Sequence, residues 1–222
     1  MQRTLLFLAL ALASTAPTAQ EAVRDIDKVN GRIVAEAGQR YGDLDTVNGS
    51  IELGDGARAK DVETVNGSIR AGDDVATEDV STVNGSIRFG QRARIDGGAE
   101  TVNGSIFIDR DGQVRGNIAT VNGGIGIVRS QVGGGIRTVG GDITVGAGSR
   151  VRGGITVEKP GTGWLRIGKP KVPRIVIGPD AVVEGPLVFE REVTLHVHAS
   201  ARTGAIRGAT ARRFDTATAP KD

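Results

Sequence analysis

The hexapeptide Thr-Val-Asn-Gly-Ser-Ile occurs four times in this chain, with first residues Thr46, Thr64, Thr82 and Thr101. Three variants of it begin at Lys28, Thr120 and Thr138. The seven starts are separated by 18, 18, 18, 19, 19 and 18 residues. A period this short is typical of one coil of a β-solenoid rather than of a helix pair. The sequence therefore predicts an all-β, single-stranded parallel β-helix with coils of about 18 residues.

Apolar residues within a repeat are spaced by two and separated by Gly, Asp and Asn, which form turns. In the third repeat we expect five side chains to face inward: Val65, Ile69, Ala71, Val75 and Val80. With 34 glycines, no Cys and only 3% aromatic residues, the core has to be aliphatic and narrow. One such coil cannot fold alone, so stability has to come from stacking.

Residues 1–20 resemble an export signal, because Arg3 precedes a short apolar run and small residues follow it. We expect removal of this segment and a periplasmic or secreted protein. Since Cys is absent, it would not be a lipoprotein, and no later stretch is apolar enough to span a membrane.

The mature chain divides by composition into four parts. Residues 21–157 carry the repeats, and residues 158–173 form a basic excursion, rich in Pro and Gly, that we expect to break the rod. Residues 174–210 resume a six-residue rhythm typical of β-helix coils, and residues 211–222 are predicted to form a flexible tail.

The repeated Asn-Gly pair predicts a structural ladder at one corner of the coil. Each Asn amide would bond to the coils above and below it, and each following Gly would allow a positive φ at the corner. The alternative is that the asparagines bind a ligand. The ladder comprises Asn30, Asn48, Asn66, Asn84, Asn103 and Asn122, and the corner glycines are Gly31, Gly49, Gly67, Gly85, Gly104 and Gly123.

Carboxylates recur at two further positions of the repeat. The first column contains Asp25, Asp43, Asp61 and Asp79, and the second contains Asp27, Asp45, Glu63 and Glu100. Stacked carboxylates repel each other, which raises their pKa values or requires a cation such as Ca²⁺. The alternative, which we favour, is that they face water without a metal.

Charge is distributed unevenly along the chain. Residues 21–110 contain 17 acidic and 11 basic residues, whereas residues 111–222 contain 9 acidic and 16 basic ones. The basic half suggests a contact patch for anionic polymers, formed by Lys159, Arg166, Lys169, Lys171 and Arg174.

The repeats resemble the adhesin-like β-solenoid family of bacteria, whose members carry degenerate Val-Asn-Gly-Ser-Ile coils and mostly have no established function. Residues 174–208 are more weakly similar to bactofilins, the polymer-forming cytoskeletal proteins, although these usually lack an export signal. The resemblance implies a β-solenoid and supplies no catalytic residues.

Little in the sequence points to catalysis. His196 and His198 would share one strand face and could bind a metal, but no third ligand is evident. There is no nucleotide-binding glycine motif, and the sparse aromatic residues argue against nucleic-acid binding. We predict a non-enzymatic exported scaffold without a cofactor that assembles end to end or joins the cell envelope. The alternatives are an adhesin-like module that binds anionic envelope polymers and a carbohydrate-active enzyme.

Overall fold

The computed structural model describes residues 23–161 and 171–220. Within these ranges the chain forms 27 short strands in three parallel sheets. The chain visits sheet A, then B, then C, and winds into a β-solenoid of about 10 turns with roughly 19 residues per turn. The predicted fold class is confirmed. The predicted signal segment, residues 1–20, lies outside the described residues.

The strands are numbered in chain order. Sheet A contains β1 (Arg24–Asn30), β3 (Tyr41–Asn48), β5 (Val62–Asn66), β8 (Val80–Asn84), β11 (Ala99–Asn103), β14 (Ile118–Asn122), β17 (Gly135–Thr138), β20 (Gly154–Val157), β23 (Leu187–Phe189) and β26 (Ile206–Arg207). Sheet B contains β2 (Ile33–Ala35), β4 (Ile51–Leu53), β6 (Ile69–Ala71), β9 (Ile87–Phe89), β12 (Ile106–Ile108), β15 (Ile125–Ile127), β18 (Ile143–Val145), β21 (Arg174–Ile177), β24 (Thr194–His198) and β27 (Ala211–Phe214). Sheet C contains β7 (Ala76–Thr77), β10 (Arg94–Ile95), β13 (Gln113–Val114), β16 (Gln131–Val132), β19 (Arg150–Val151), β22 (Val182–Val183) and β25 (Arg202–Thr203).

Equivalent residues of successive repeats pair with each other, as Thr64 does with Thr82 and Ile69 with Ile87. Because the register is kept, each position of the repeat becomes a column along the rod. Inward columns of Ile, Val, Leu and Ala form one continuous core, in which residues such as Ile69 and Ile118 are fully buried. The aliphatic core expected from the composition is therefore present.

A buried column of threonines lies between the core and the Asn-Gly corner. Its members are Thr46, Thr64, Thr82, Thr101, Thr120 and Thr138. The Thr64 hydroxyl donates to the carbonyl oxygen of Gly49 in the preceding coil at 2.9 Å, and Thr82 donates likewise to Gly67 at 3.0 Å. A buried hydroxyl without such a partner would be costly. The first residue of the hexapeptide therefore links adjacent coils from inside.

The basic excursion does not break the rod, contrary to the expectation from its composition. It leaves sheet A after β20, at the corner where earlier coils carry Asn-Gly, and the chain returns in register: Ile175 pairs with Ile143 and Ile177 pairs with Val145. The described strands on either side of residues 158–173 thus stay in register, and the strands from β21 to β26 continue the same three sheets.

The predicted flexible tail also begins with regular structure. Ala211–Phe214 forms β27, the last strand of sheet B, and pairs with β24. Farther on, the Arg174 guanidinium donates to the carbonyl oxygen of Pro220 at 2.6 Å. The described part of the chain contains no helix with the length and apolar character needed to cross a membrane.

Candidate functional site: the outer face of sheet A

The six asparagines of the predicted ladder lie one above another along the A to B corner. From Asn48 onward, each side-chain amide nitrogen donates to the side-chain oxygen of the Asn in the preceding coil. The five distances, in chain order from Asn48 to Asn122, are 3.1, 3.0, 3.0, 2.9 and 3.0 Å. The amide groups are therefore occupied mainly by each other, which favours a structural role over binding of a ligand.

The corner glycines have a different role from the predicted one. Only Gly31 and Gly123 have a positive φ, at 107° and 150°. At Gly67 an added Cβ would lie 1.8 Å from the carbonyl oxygen of Gly49, the equivalent glycine of the preceding coil. A Cβ added at Gly49, Gly85 or Gly104 would likewise lie 1.8 to 2.0 Å from the carbonyl oxygen of the equivalent glycine before it. The expectation of positive φ is wrong at these four corners. Glycine is required there because the backbones of successive coils approach too closely for a side chain.

The first acidic column forms hydrogen bonds with the backbone of the next coil. The Asp25 carboxylate accepts from the Asp43 amide at 3.0 Å, and that of Asp61 accepts from the Asp79 amide at 3.2 Å. Asp79 accepts from the Gly98 amide at 2.6 Å. Asn117 at the same position accepts from Gly135 at 2.8 Å. Within the described ranges, no group of three or more His, Asp or Glu side chains is arranged to hold a metal ion.

The second acidic column lies on the outer face of sheet A, where Asp27, Asp45 and Glu63 are paired across β1, β3 and β5. The pKa of Asp45 is raised to about 6, mainly by partial burial and in addition by the charges of Glu63 and Asp27. Stacking of like charges therefore has the predicted effect at Asp45. The Asp45 carboxyl group takes up its proton close to neutral pH.

An exposed row of valines runs beside this acidic column. We call it the valine stripe: Val29, Val47, Val65, Val83, Val102, Val121 and Val139. The first five are 40 to 68% exposed. The inward orientation predicted for Val65 is wrong, because Thr64 already occupies the inward position and Val65 must face out. The alternation Thr in, Val out was the signal that could have revealed the stripe.

The stripe ends in a shallow depression of about 320 Å³, lined along its middle by Val102, Val121 and Ala119. Longer side chains border it, namely Glu100 toward the N-terminal end and Arg137 and Glu158 toward the C-terminal end. Arg137 and Glu158 form an ion pair, with the Nε to Oε1 distance at 3.2 Å. The outer face of sheet A therefore combines an apolar floor with charges of both signs.

The predicted basic patch is only partly described, because Arg166 and Lys169 lie outside the described residues. The Lys171 ammonium contacts the Asp142 carboxylate at 2.6 Å, and the Arg174 backbone amide donates to the same carboxylate at 2.8 Å. The Lys159 backbone amide donates to Glu190 at 3.2 Å. Acidic groups thus lie next to each described member, which reduces the attraction of the patch for an anion.

The two histidines do not share the surroundings of a metal site. His196 is buried, while the His198 ring lies edge-on to Phe214 with centroids 5.1 Å apart. The His198 Nδ1 is 2.9 Å from the Ser200 hydroxyl and accepts from the Ser200 amide at 3.1 Å. These contacts are typical of histidines that fix a strand end.

The C-terminal edge of the rod carries positive charge. Arg202, Arg207, Arg212 and Arg213 are exposed there. Arg213 pairs with the core residue Val197 and therefore occupies a core-facing position of the last strand of sheet B. Inward-facing charges on edge strands are a known means of preventing further strand addition. End-to-end stacking at this edge would have to bury the Arg213 charge.

No protein-family description, no curated protein and no solved structure matches this chain.

Proposed function

We propose that this chain is an exported, non-enzymatic rod that acts as an interaction scaffold and uses the outer face of sheet A as its contact surface. The observation that supports the proposal is the valine stripe. Seven valines at equivalent positions, five of them at least 40% exposed, form an apolar row beside charged residues. Contiguous exposed apolar surface of this kind is typical of interaction sites.

The use of polar groups elsewhere on the rod also favours a scaffold. The asparagines bond to each other, the threonines bond to glycine carbonyls, and three of the first-column aspartates bond to backbone amides of the next coil. These bonds recur at the same position in successive coils. A catalytic site would instead require a convergent group at one place.

Two matched lysine substitutions test the proposal. Val102→Lys places a charge on the stripe, whereas Val34→Lys changes a valine of similar exposure, 43% against 40%, on the outer face of sheet B. The readout is co-sedimentation with isolated cell envelopes, together with self-association measured by analytical ultracentrifugation. We expect Val102→Lys to reduce one of these associations at least about tenfold, because a lysine there must be desolvated on contact. Val34→Lys should behave like the unchanged protein.

Equal association of both variants would show that the stripe is not the contact surface. Turnover of a polysaccharide that a single carboxylate substitution abolishes would contradict the non-enzymatic assignment. End-to-end assembly, the other expected mode, predicts salt-sensitive filaments in electron micrographs, and Arg213→Ala should then promote them because it removes a charge that stacking would bury.

A further inference from the structure

The outer face of sheet A carries a column of charged side chains whose sign changes along the rod. We call this set the charged column: it runs through Asp27, Asp45, Glu63, Ser81, Glu100, Ala119, Arg137, Thr156, Val188 and Arg207, each paired with the next. Its charges are acidic up to Glu100 and basic from Arg137 onward. The valine stripe lies beside it for seven coils, two residues farther along each strand.

The geometry of two identical faces restricts how copies can pair. If a two-fold axis lies along the strand direction, the rods are antiparallel and each column faces the same column running the other way. If the axis lies along the rod, the rods are parallel and residues of the same coil face each other, so that the acidic coils face acidic coils and the basic coils face basic coils. Only the antiparallel arrangement brings the acidic part of the charged column opposite its basic part while valine faces valine in the coils beside the axis.

We propose that the outer face of sheet A binds a second copy of the chain, antiparallel, with the two-fold axis passing through Ala119 and Val121. This is the sixth coil of sheet A, so the neighbouring fifth and seventh coils face each other. Glu100 of each copy then lies opposite Arg137 of the other. Four coils from the axis on either side, Asp45 lies opposite Arg207.

The shape of the face fits this register. The depression of about 320 Å³ spans Glu100, Ala119 and Arg137, and Ala119 is the smallest side chain along this part of the charged column. Closing two such depressions against each other leaves room for the long side chains of Glu100 and Arg137 from both copies. Val102 then faces Val139 of the other copy, and Val121 faces its own equivalent. Farther from the axis the stripe position carries Glu158 and Glu190, which lie opposite Val83 and Val65 of the other copy.

The overlap has the size of a weak but specific interface. Nine coils at about 4.8 Å spacing and a width of about 15 Å give roughly 650 Å² per copy, somewhat below the roughly 800 Å² of a standard interface. We therefore expect a dimer that dissociates on dilution. Higher salt should weaken it without abolishing it, because the valine contacts do not depend on charge.

This inference rests on the proposed function, since it names the partner of the same face. It is tested by sedimentation equilibrium of the full chain and three variants: Glu100→Arg, Arg137→Glu and the double exchange. Each single change places like charges opposite each other twice in the dimer and should weaken dimerisation at least about tenfold. The double exchange should dimerise at least about threefold more tightly than either single change, because the reciprocal pairs are re-formed with reversed sign. Recovery should be incomplete, because Arg137→Glu also places a carboxylate beside Glu158 of the same copy. Circular dichroism confirms that each variant is folded.

A monomer at all concentrations, or a double exchange no tighter than the single changes, would overturn the antiparallel pairing. Loss of envelope binding in Val102→Lys alongside a monomeric unchanged protein would retain the proposed function and reject only this inference.

Cysteine cross-linking provides a second readout, because the chain contains no Cys. Ala119→Cys places one thiol per copy at the two-fold axis and should give a disulfide-linked dimer under mild oxidation. Thr144→Cys, exposed on the outer face of sheet B, is the control and should not. Equal cross-linking of both variants would contradict the proposed axis.

Discussion

The two corners that flank sheet B make the same kind of turn by different means. At the A to B corner, four of the repeated glycines lack a positive φ, but a Cβ there would lie within 2.0 Å of a carbonyl oxygen in the preceding coil. At the B to C corner the backbone is left-handed instead. Positive φ recurs there at Gly38, Gly56, Asp74, Arg92, Asp111, Arg129, Gly148 and Asp180.

The difference explains why one corner keeps its sequence and the other does not. Space between coils is fixed by the hydrogen-bonded spacing of the strands, so nothing larger than glycine fits at Gly67. A left-handed φ costs an L-residue only about 1–2 kcal/mol, which a long rod can tolerate at several coils. Asp74 and Arg92 also form an ion pair there, with the Nη2 to Oδ2 distance at 2.7 Å.

The largest effect is expected for Gly67→Ala, where the new Cβ would lie 1.8 Å from the Gly49 carbonyl oxygen. Two coils would have to separate, so we expect a loss of about 3 kcal/mol or more in the free energy of unfolding, measured by urea titration. The matched control is Gly56→Ala. Its φ is +69° and the atom nearest to an added Cβ, the Gly38 Cα, is 3.8 Å away, so the loss should be about 1–2 kcal/mol. The reverse order would refute the distinction between the corners.

Removal of one ladder amide should have the next largest effect. Asn66→Ala removes a bond to Asn48 at 3.0 Å and a bond from Asn84 at 3.0 Å. We expect a loss of about 1–2 kcal/mol, measured by the same titration. Asn30→Ala at the N-terminal end removes one ladder bond, which Asn30 accepts from Asn48, and should cost about half as much. Equal losses at the two sites would argue against a ladder contribution.

The B to C corner offers a stabilising substitution. Arg129 has a φ of 46°, which glycine adopts without strain. Arg129→Gly should therefore raise the free energy of unfolding by up to about 1 kcal/mol, although the greater freedom of glycine in the unfolded chain offsets part of the gain. Arg152→Gly is the control, since Arg152 is exposed but is not among the positive-φ residues. Arg152→Gly should lower the thermal midpoint. A higher midpoint for both variants would mean that loss of the arginine charge, and not relief of the left-handed φ, causes the stabilisation.

The smallest effect is expected in the second acidic column. Stacked amides of the Asn ladder bond to each other, whereas stacked carboxylates repel each other. The pKa of Asp45 is raised to about 6 from an ordinary value of 3.8. The folded state therefore holds a proton more tightly than the unfolded state, and this contribution to stability is complete below about pH 4 and lost as pH rises through 6. Asp45→Asn should raise the thermal midpoint at pH 7.5. The gain should shrink to nothing at pH 4, and a pH-independent gain would contradict the assigned cause.

Much of the fold was predictable from the sequence, because in-register stacking turns each position of the repeat into a column along the rod. The period of the hexapeptide predicted the solenoid and the positions of the asparagines. The direction of the Val65 side chain was harder to predict, since Thr64 and Val65 are both common in strands. The buried hydrogen bond from the Thr64 hydroxyl to the Gly49 carbonyl shows that Thr64 faces the core. The role of Gly67 depends on the distance to the preceding coil, which no local pattern specifies.

The candidate site was less predictable for a related reason. Apolar residues were assigned to the core, so a row of exposed valines was not anticipated. The excursion at residues 158–173 has the composition of a break, yet Ile175 returns to pair with Ile143 because the core of the next coil still has to be covered. Composition identifies an insertion but does not indicate whether the rod continues after it.

The central claim is that the molecule is a uniform stack of in-register coils, and deletion of one complete coil tests it most directly. Removal of residues 64–81 joins Glu63 to Thr82, which occupies the same position as Thr64 one coil later. Thermal unfolding followed by circular dichroism should show a folded, cooperative β protein. Removal of residues 64–72, half as many, should unfold the protein because every later column loses its register. Equal tolerance of the two deletions, or loss of folding in the complete-coil deletion, would contradict the account.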